Sequence, residues 1–252
     1  MYIPKIVFKP MSLEKNIERV KWAYMYTDND DLDVRECAVE QYGDLNEMDK
    51  TKSFEEKIID IVTKRYNLEY DNIEKTVNRY NKLWAPYNDK YFTMLSEYLG
   101  VEWPNDKLTI EAEVGIIPVY PRFLDTFSFQ LDIGIKDENL VRICAHETLH
   151  FLWFEKWKQM YLDTEIKGDE VPYLVWKYSE MVTDPILNNE PFKSVFNFKE
   201  VGYDSFYEIF DGDELVMDKL RKIYSEDIPV EEKIDKGFKY IESIKSKDTK
   251  RL

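Results

Sequence analysis

Ile143-Cys144-Ala145-His146-Glu147-Thr148-Leu149-His150-Phe151 reads as the centre of a helix that carries an H-E-x-x-H arrangement. The chain has two histidines in 252 residues, and both lie here. Side chains four apart on a helix share one face, with Cβ atoms about 5–6 Å apart. That separation lets two imidazoles reach one Zn²⁺ with Zn–N bonds of about 2.0–2.1 Å. Glu147, next to the first histidine, is placed to act as general base on a metal-held water. The context is helical: Asp137 can cap the start after the strand-like Ile133-Gly134-Ile135, and no Pro or Gly follows until Gly168. A packed helix can also carry such a spacing by chance, so a third ligand is required.

With no third histidine, that ligand should be a carboxylate, and the downstream candidates are Glu155, Glu165, Glu170 and Glu180. If the first helix runs to about Leu162, His150 lies roughly 18 Å from its end at about 1.5 Å per residue. A second helix starting near Val171-Pro172 and running back brings Glu180 level with the histidines. Glu165 and Glu170 fall near the turn, and Glu155 lies more than a turn past His150 on the same helix.

His146-Glu147-Thr148-Leu149-His150 followed by Ser179-Glu180-Met181-Val182-Thr183-Asp184 resembles the gluzincin branch of the zincin metallopeptidases. The resemblance covers these two motifs and not the whole chain. It implies a mostly helical zincin-like fold, a Zn²⁺ held by His146, His150 and Glu180, and Asp184 supporting the ring of His146. It also implies a peptidase acting on peptide or protein substrates through a metal-activated water, with Glu147 as base. Glu170 is a rival ligand, because its distance from His150 matches the spacing in thermolysin, although Leu174 then occupies the supporting position. Metzincins fit poorly, since Trp153 and Lys156 stand where their pattern requires Gly and His. Gluzincins usually supply a His, Tyr or Arg to the oxyanion; with no spare histidine, Tyr203 or Tyr207 is the candidate. Two other function classes stay open: a non-catalytic regulatory or binding protein on a peptidase-like scaffold, and a zinc hydrolase of a non-peptide amide.

The flanking sequence predicts an α+β chain. Residues 12–100 read as helices, with Leu13, Ile17, Val20 and Tyr24 on one face and capping-box-like starts at Ser53 and Asp71. Pro86 should break the helix containing Ile73, Val77, Tyr80 and Trp84, and Gly100 sits where a C-terminal cap belongs. Alternating runs over 108–116 and 127–135 predict two strands, expected to pair as a small antiparallel sheet ahead of the motif helix. This suggests a helical N-terminal lobe over 1–103 and a metallopeptidase-like region over 104–252, with a helical C-terminal part.

Fifty acidic against thirty-five basic residues give a net charge of −15 and pI near 4.7. Such a field repels phosphate backbones, so nucleic acid is not an expected partner. No run is long and apolar enough for a membrane span, and Met1–Phe8 lacks the apolar core of a signal peptide. Cys37 and Cys144 form no C-x-x-C, which suits a reducing compartment. The expected location is therefore cytoplasmic.

Overall fold

The computed structural model describes residues 2–26, 34–162 and 173–247, with side chains to residue 244. It is an α+β fold. Strand β1 (Lys5–Pro10) is followed by helices α1 (Leu13–Met25), α2 (Val34–Tyr42), α3 (Phe54–Trp84) and α4 (Asn88–Leu99). Then come β2 (Thr109–Gly115), β3 (Arg122–Phe123), β4 (Ser128–Asp132), α5 (Asp137–Met160) and α6 (Tyr173–Leu187). A short hairpin of β5 (Phe210–Asp211) and β6 (Glu214–Leu215) leads into α7 (Val216–Ser225) and α8 (Val230–Lys247).

The main sheet has the order β1-β2-β4-β3. Its long strands are parallel, with Phe8 opposite Ala112 and Ala112 opposite Phe129; β3 alone is antiparallel, on β4. The antiparallel pairing expected of the two alternating runs is thus corrected, and β1 joins them from the N-terminus. Alternation fixes which residues share a face, and it does not encode strand direction. The direction follows from residues 116–127, which carry the chain beyond β4's place, lay down β3 at the edge and return through a hairpin. Phe127 in that hairpin has φ 50°, a backbone state uncommon outside glycine. Its buried ring stacks on Phe151 with centroids 4.9 Å apart, one residue beyond His150, so core packing holds the strained turn against α5.

The Ser53 capping box forms as the sequence predicts. Glu56 N–H donates to Ser53 Oγ (3.2 Å), and Ser53 N–H donates to Glu56 Oε2 (2.7 Å). The second start, at Asp71, does not occur: α3 runs unbroken for 31 residues, and no Pro or Gly lies between Ser53 and Pro86 to end it. That helix spans two cores. Ile58, Val62 and Ile73 pack with Val20, Ala23, Ala38 and Ile117, while Val77, Tyr80 and Trp84 join the main core. The main core runs across residue 103, from Ile6 and Phe8 through Tyr91 and Phe129 to Leu149, Val182, Leu220 and Ile241.

Helix α5 lies at the centre of this core and is buried on every side over residues 147–154. Two tyrosines fix its level. Tyr80 Oη donates to the Asp132 carbonyl (2.8 Å) at the strand-to-helix junction, and Tyr91 Oη donates to the Ala145 carbonyl (2.6 Å) beside His146. No helix among the described residues is long and apolar enough to cross a membrane.

Candidate metal centre

His146 and His150 project from one face of α5 with ring centroids 4.9 Å apart. Their Nε2 atoms lie 3.3 Å from each other. Helix α6 brings Glu180 against both: Oε2 is 3.1 Å from His146 Nε2, and Oε1 is 3.6 Å from His150 Nε2. These three residues form a group whose ligand atoms lie within 4.8 Å of one another, so they can hold a metal ion. His150 and Glu180 are fully buried, and His146 is open to solvent along one edge. Helix α6 continues through Pro185 to Leu187, so that proline does not displace Glu180 from the helix. Of the other ligand candidates, Glu155 is ion-paired to Lys158, while Glu165 and Glu170 lie outside the described residues.

The partner of His146 differs from the expected one. Nδ1 lies 2.9 Å from Glu200 Oε1, and Arg142, one turn earlier on α5, approaches the same oxygen at 3.6 Å. Asp184 does not support the ring. Its buried carboxylate accepts from Arg221 Nη2 (2.7 Å), Tyr207 Oη (2.7 Å) and Asn188 Nδ2 (2.9 Å). The physical reason is depth: one turn beyond Glu180, an α6 side chain meets the guanidinium carried by α7. Asp184 nevertheless acts on the site at one remove. Asn188 donates to the Glu200 carbonyl and accepts from the Glu200 N–H, both at 2.8 Å, so the Asp184–Asn188 contact clamps the loop that delivers Glu200.

Arg122 and Glu200 are the residues that the sequence reading missed. Arg122 enters from edge strand β3, with Nη1 2.6 Å from Glu180 Oε1 and 3.7 Å from Glu147 Oε2. Nothing in spacing marks either residue, because both come from irregular or very short segments. Arg142 was missed as well, although its place four residues before His146 on the same helical face is a signal that could have found it. Tyr207 is occupied by Asp184 and by the Gly202 N–H. Tyr203 packs against Trp176 and Phe206 and lines a hollow of about 430 Å³ with Gly202, Asp204, Ser205 and Glu208.

The electrostatics separate the two histidines. Burial alone would lower the pKa of His146, but hydrogen bonds to Glu180 and Glu200 raise it to about 10. Burial, with Arg122 nearby, pushes His150 down to about 3. Burial also raises Glu147 to about 7, against the opposing pull of His146 and Arg122. Glu180 is buried too, yet Arg122 and the histidines hold it well below the ordinary carboxylate range. Without metal, His146 at neutral pH therefore directs one N–H to Glu200 and the other to Glu180, and a proton stands where a metal would bond. At the site, His150 Nδ1, Glu147 Oε2, Glu180 Oε1 and Glu200 Oε2 have no hydrogen-bond partner among the described residues, Glu180 Oε1 being ion-paired to Arg122.

Neither a family model, nor a curated protein, nor a solved structure matches this chain.

Proposed function

We propose that the chain is a zinc-dependent metallopeptidase of gluzincin type, with His146, His150 and Glu180 as ligands and Glu147 as general base. The observation that carries this is the spacing of the ligand atoms. A tetrahedral ion with bonds of about 2.0–2.1 Å has ligand–ligand edges of about 3.3 Å. His146 Nε2 lies 3.3 Å from His150 Nε2 and 3.1 Å from Glu180 Oε2, close to that edge, and one ligand atom from each of the three residues lies within 4.8 Å of the others. Two nitrogens and a carboxylate oxygen suit zinc's borderline preference, and three protein ligands leave a position for water. Bound there, the metal would supply Lewis acidity toward water and a scissile carbonyl.

The chain's own groups would do the rest. Glu147, with a pKa near neutrality, is partly ionised at pH 7 and can take a proton from water onto its carboxylate, then return it to a leaving amine. Glu200 fixes the His146 ring with Nε2 toward the ligand cluster, and Arg142 steadies Glu200. Tyr203 is the candidate donor to a developing oxyanion. The outer edge of β3, next to the site, could align an extended peptide by main-chain hydrogen bonds. Incubating the zinc-loaded protein with a diverse peptide mixture, read by mass spectrometry, tests the activity. New termini that vanish on chelation are expected; bound metal without cleavage would leave only a binding role or a non-peptide amide substrate.

Glu200 and Asp184 should separate cleanly. Glu200→Gln is expected to loosen zinc by about 10- to 100-fold, the usual effect of losing an outer partner of a ligating histidine. Asp184→Asn should leave zinc affinity within a few-fold of wild type but lower stability by about 1–3 kcal/mol, because Arg221 and Tyr207 lose a buried acceptor. Chelator competition and thermal unfolding of the two variants check both halves.

The pH dependence has a definite sign. Zinc must displace the His146 proton, so its apparent affinity should rise with pH through neutrality, flatten near pH 10 and release a proton on binding. In the metal-free protein, the folded pKa of His146 is raised above its ordinary 6.5 and that of Glu147 above its ordinary 4.5. A raised folded pKa gives stability that is present below the unfolded value and lost as pH climbs through the folded one. Metal-free stability should therefore fall from about pH 6.5 to 10 through His146, while between about pH 4.5 and 6.5 the loss through Glu147 is offset by His150, whose folded pKa is lowered to about 3. Calorimetry in buffers of different ionisation enthalpy and pH-dependent unfolding measure these effects.

A further inference from the structure

We infer that Arg122 is a positioning residue that opposes the metal: it neutralises Glu180 and Glu147 in the metal-free protein and holds zinc affinity below what the ligand set alone would give. This rests on the zinc reading above and assigns a control on that same site.

Glu180 presents its two oxygens to different partners. Oε2 faces His146, whereas Oε1 is 2.6 Å from the Arg122 guanidinium and only 3.6 Å from His150. The oxygen nearer His150 is thus already held by a cation. Arg122 also reaches within 3.7 Å of Glu147, so one buried charge serves the expected metal ligand and the expected base together. Its strand keeps it there. The neighbouring Phe123 points to the opposite face of the sheet, where Arg19 lies over its ring at 5.5 Å, and β4 pairs with both β3 residues.

Two consequences follow from charge. Buried carboxylates without a cation are costly, so Arg122 lets the site stay folded when metal is absent. A divalent ion sharing Glu180 with a guanidinium meets repulsion in surroundings where water screens poorly, and a ligand oxygen already engaged by Arg122 is a weaker donor. Metal would then bind reversibly, and occupancy would follow its supply.

The test compares zinc affinity, by chelator competition, in wild type, Arg122→Gln and Arg122→Lys, with thermal unfolding of each protein with and without zinc. Arg122→Gln should bind zinc about 10- to 100-fold more tightly, the scale on which outer partners of metal ligands act. It should also show a larger zinc-induced rise in Tm. Arg122→Lys, which keeps the charge, should stay near wild type. If Arg122→Gln folds only when zinc is present, that supports the same inference, since metal then replaces the missing cation. Equal or weaker zinc binding by Arg122→Gln, with wild type still binding, overturns the inference and leaves the zinc site standing. No zinc binding by any of the three proteins overturns the zinc reading itself.

Discussion

Glu147→Gln is expected to abolish peptide cleavage while keeping the metal. The amide has nearly the same shape as the carboxylate, so the main core around α5 stays filled. It cannot accept a proton from water at neutral pH, and general base catalysis is worth about 10²- to 10⁴-fold in rate. A loss of that size should appear in kcat, because Glu147 is not among the ligand atoms that converge on the cluster. The change also removes a carboxylate that burial holds near pKa 7, so the low-pH limb of the activity profile should disappear from whatever turnover remains. Steady-state kinetics together with zinc analysis measure both. Turnover within a few-fold of wild type would mean that another group takes the proton.

Glu180→Gln should have the larger effect on the site as a whole. It removes one of three ligands, so zinc affinity is expected to fall by more than the about 10- to 100-fold typical of an outer partner. It also strands Arg122, whose guanidinium lies 2.6 Å from the lost charge. Removing one member of a buried ion pair costs about 3–5 kcal/mol. Arg122 keeps Glu147 within 3.7 Å, so the low end of that range is expected. Chemical denaturation of the metal-free variant reads the stability loss, and chelator competition reads the affinity. A variant as stable as wild type with unchanged zinc binding would remove Glu180 from the ligand set.

How far the sequence discloses the site depends on how local each relation is. The two histidines share a helical face because four residues on an α-helix make just over one turn, a relation inside a single element. Glu180 was within reach because it needs only the rise per residue and the assumption that α6 runs back along α5. Asp184 shows where such reasoning stops. It stands one turn from Glu180 as in the gluzincin motif that the sequence resembles, but Arg221, from a helix far along the chain, captures it. Glu200 takes the expected role from a loop whose path is set by Asn188, and no periodicity reports that path.

The same distinction explains the fold. The Ser53 capping box and the left-handed Gly100 after α4, with φ 63°, are local and were legible. The alternation of β2 and β4 disclosed strands and faces. Their parallel pairing depends on the chain laying β3 outside β4 first, and that long-range path also brings Arg122 to Glu180. The strongest departure from sequence expectation and the least anticipated site residue thus have one cause.

The most direct test is zinc stoichiometry of the reconstituted protein, measured by elemental analysis with His146→Ala alongside. The expected result is one zinc per chain in the wild type, removed by the substitution. No zinc after reconstitution, or the same zinc content in His146→Ala, would contradict a metal centre built on His146, His150 and Glu180.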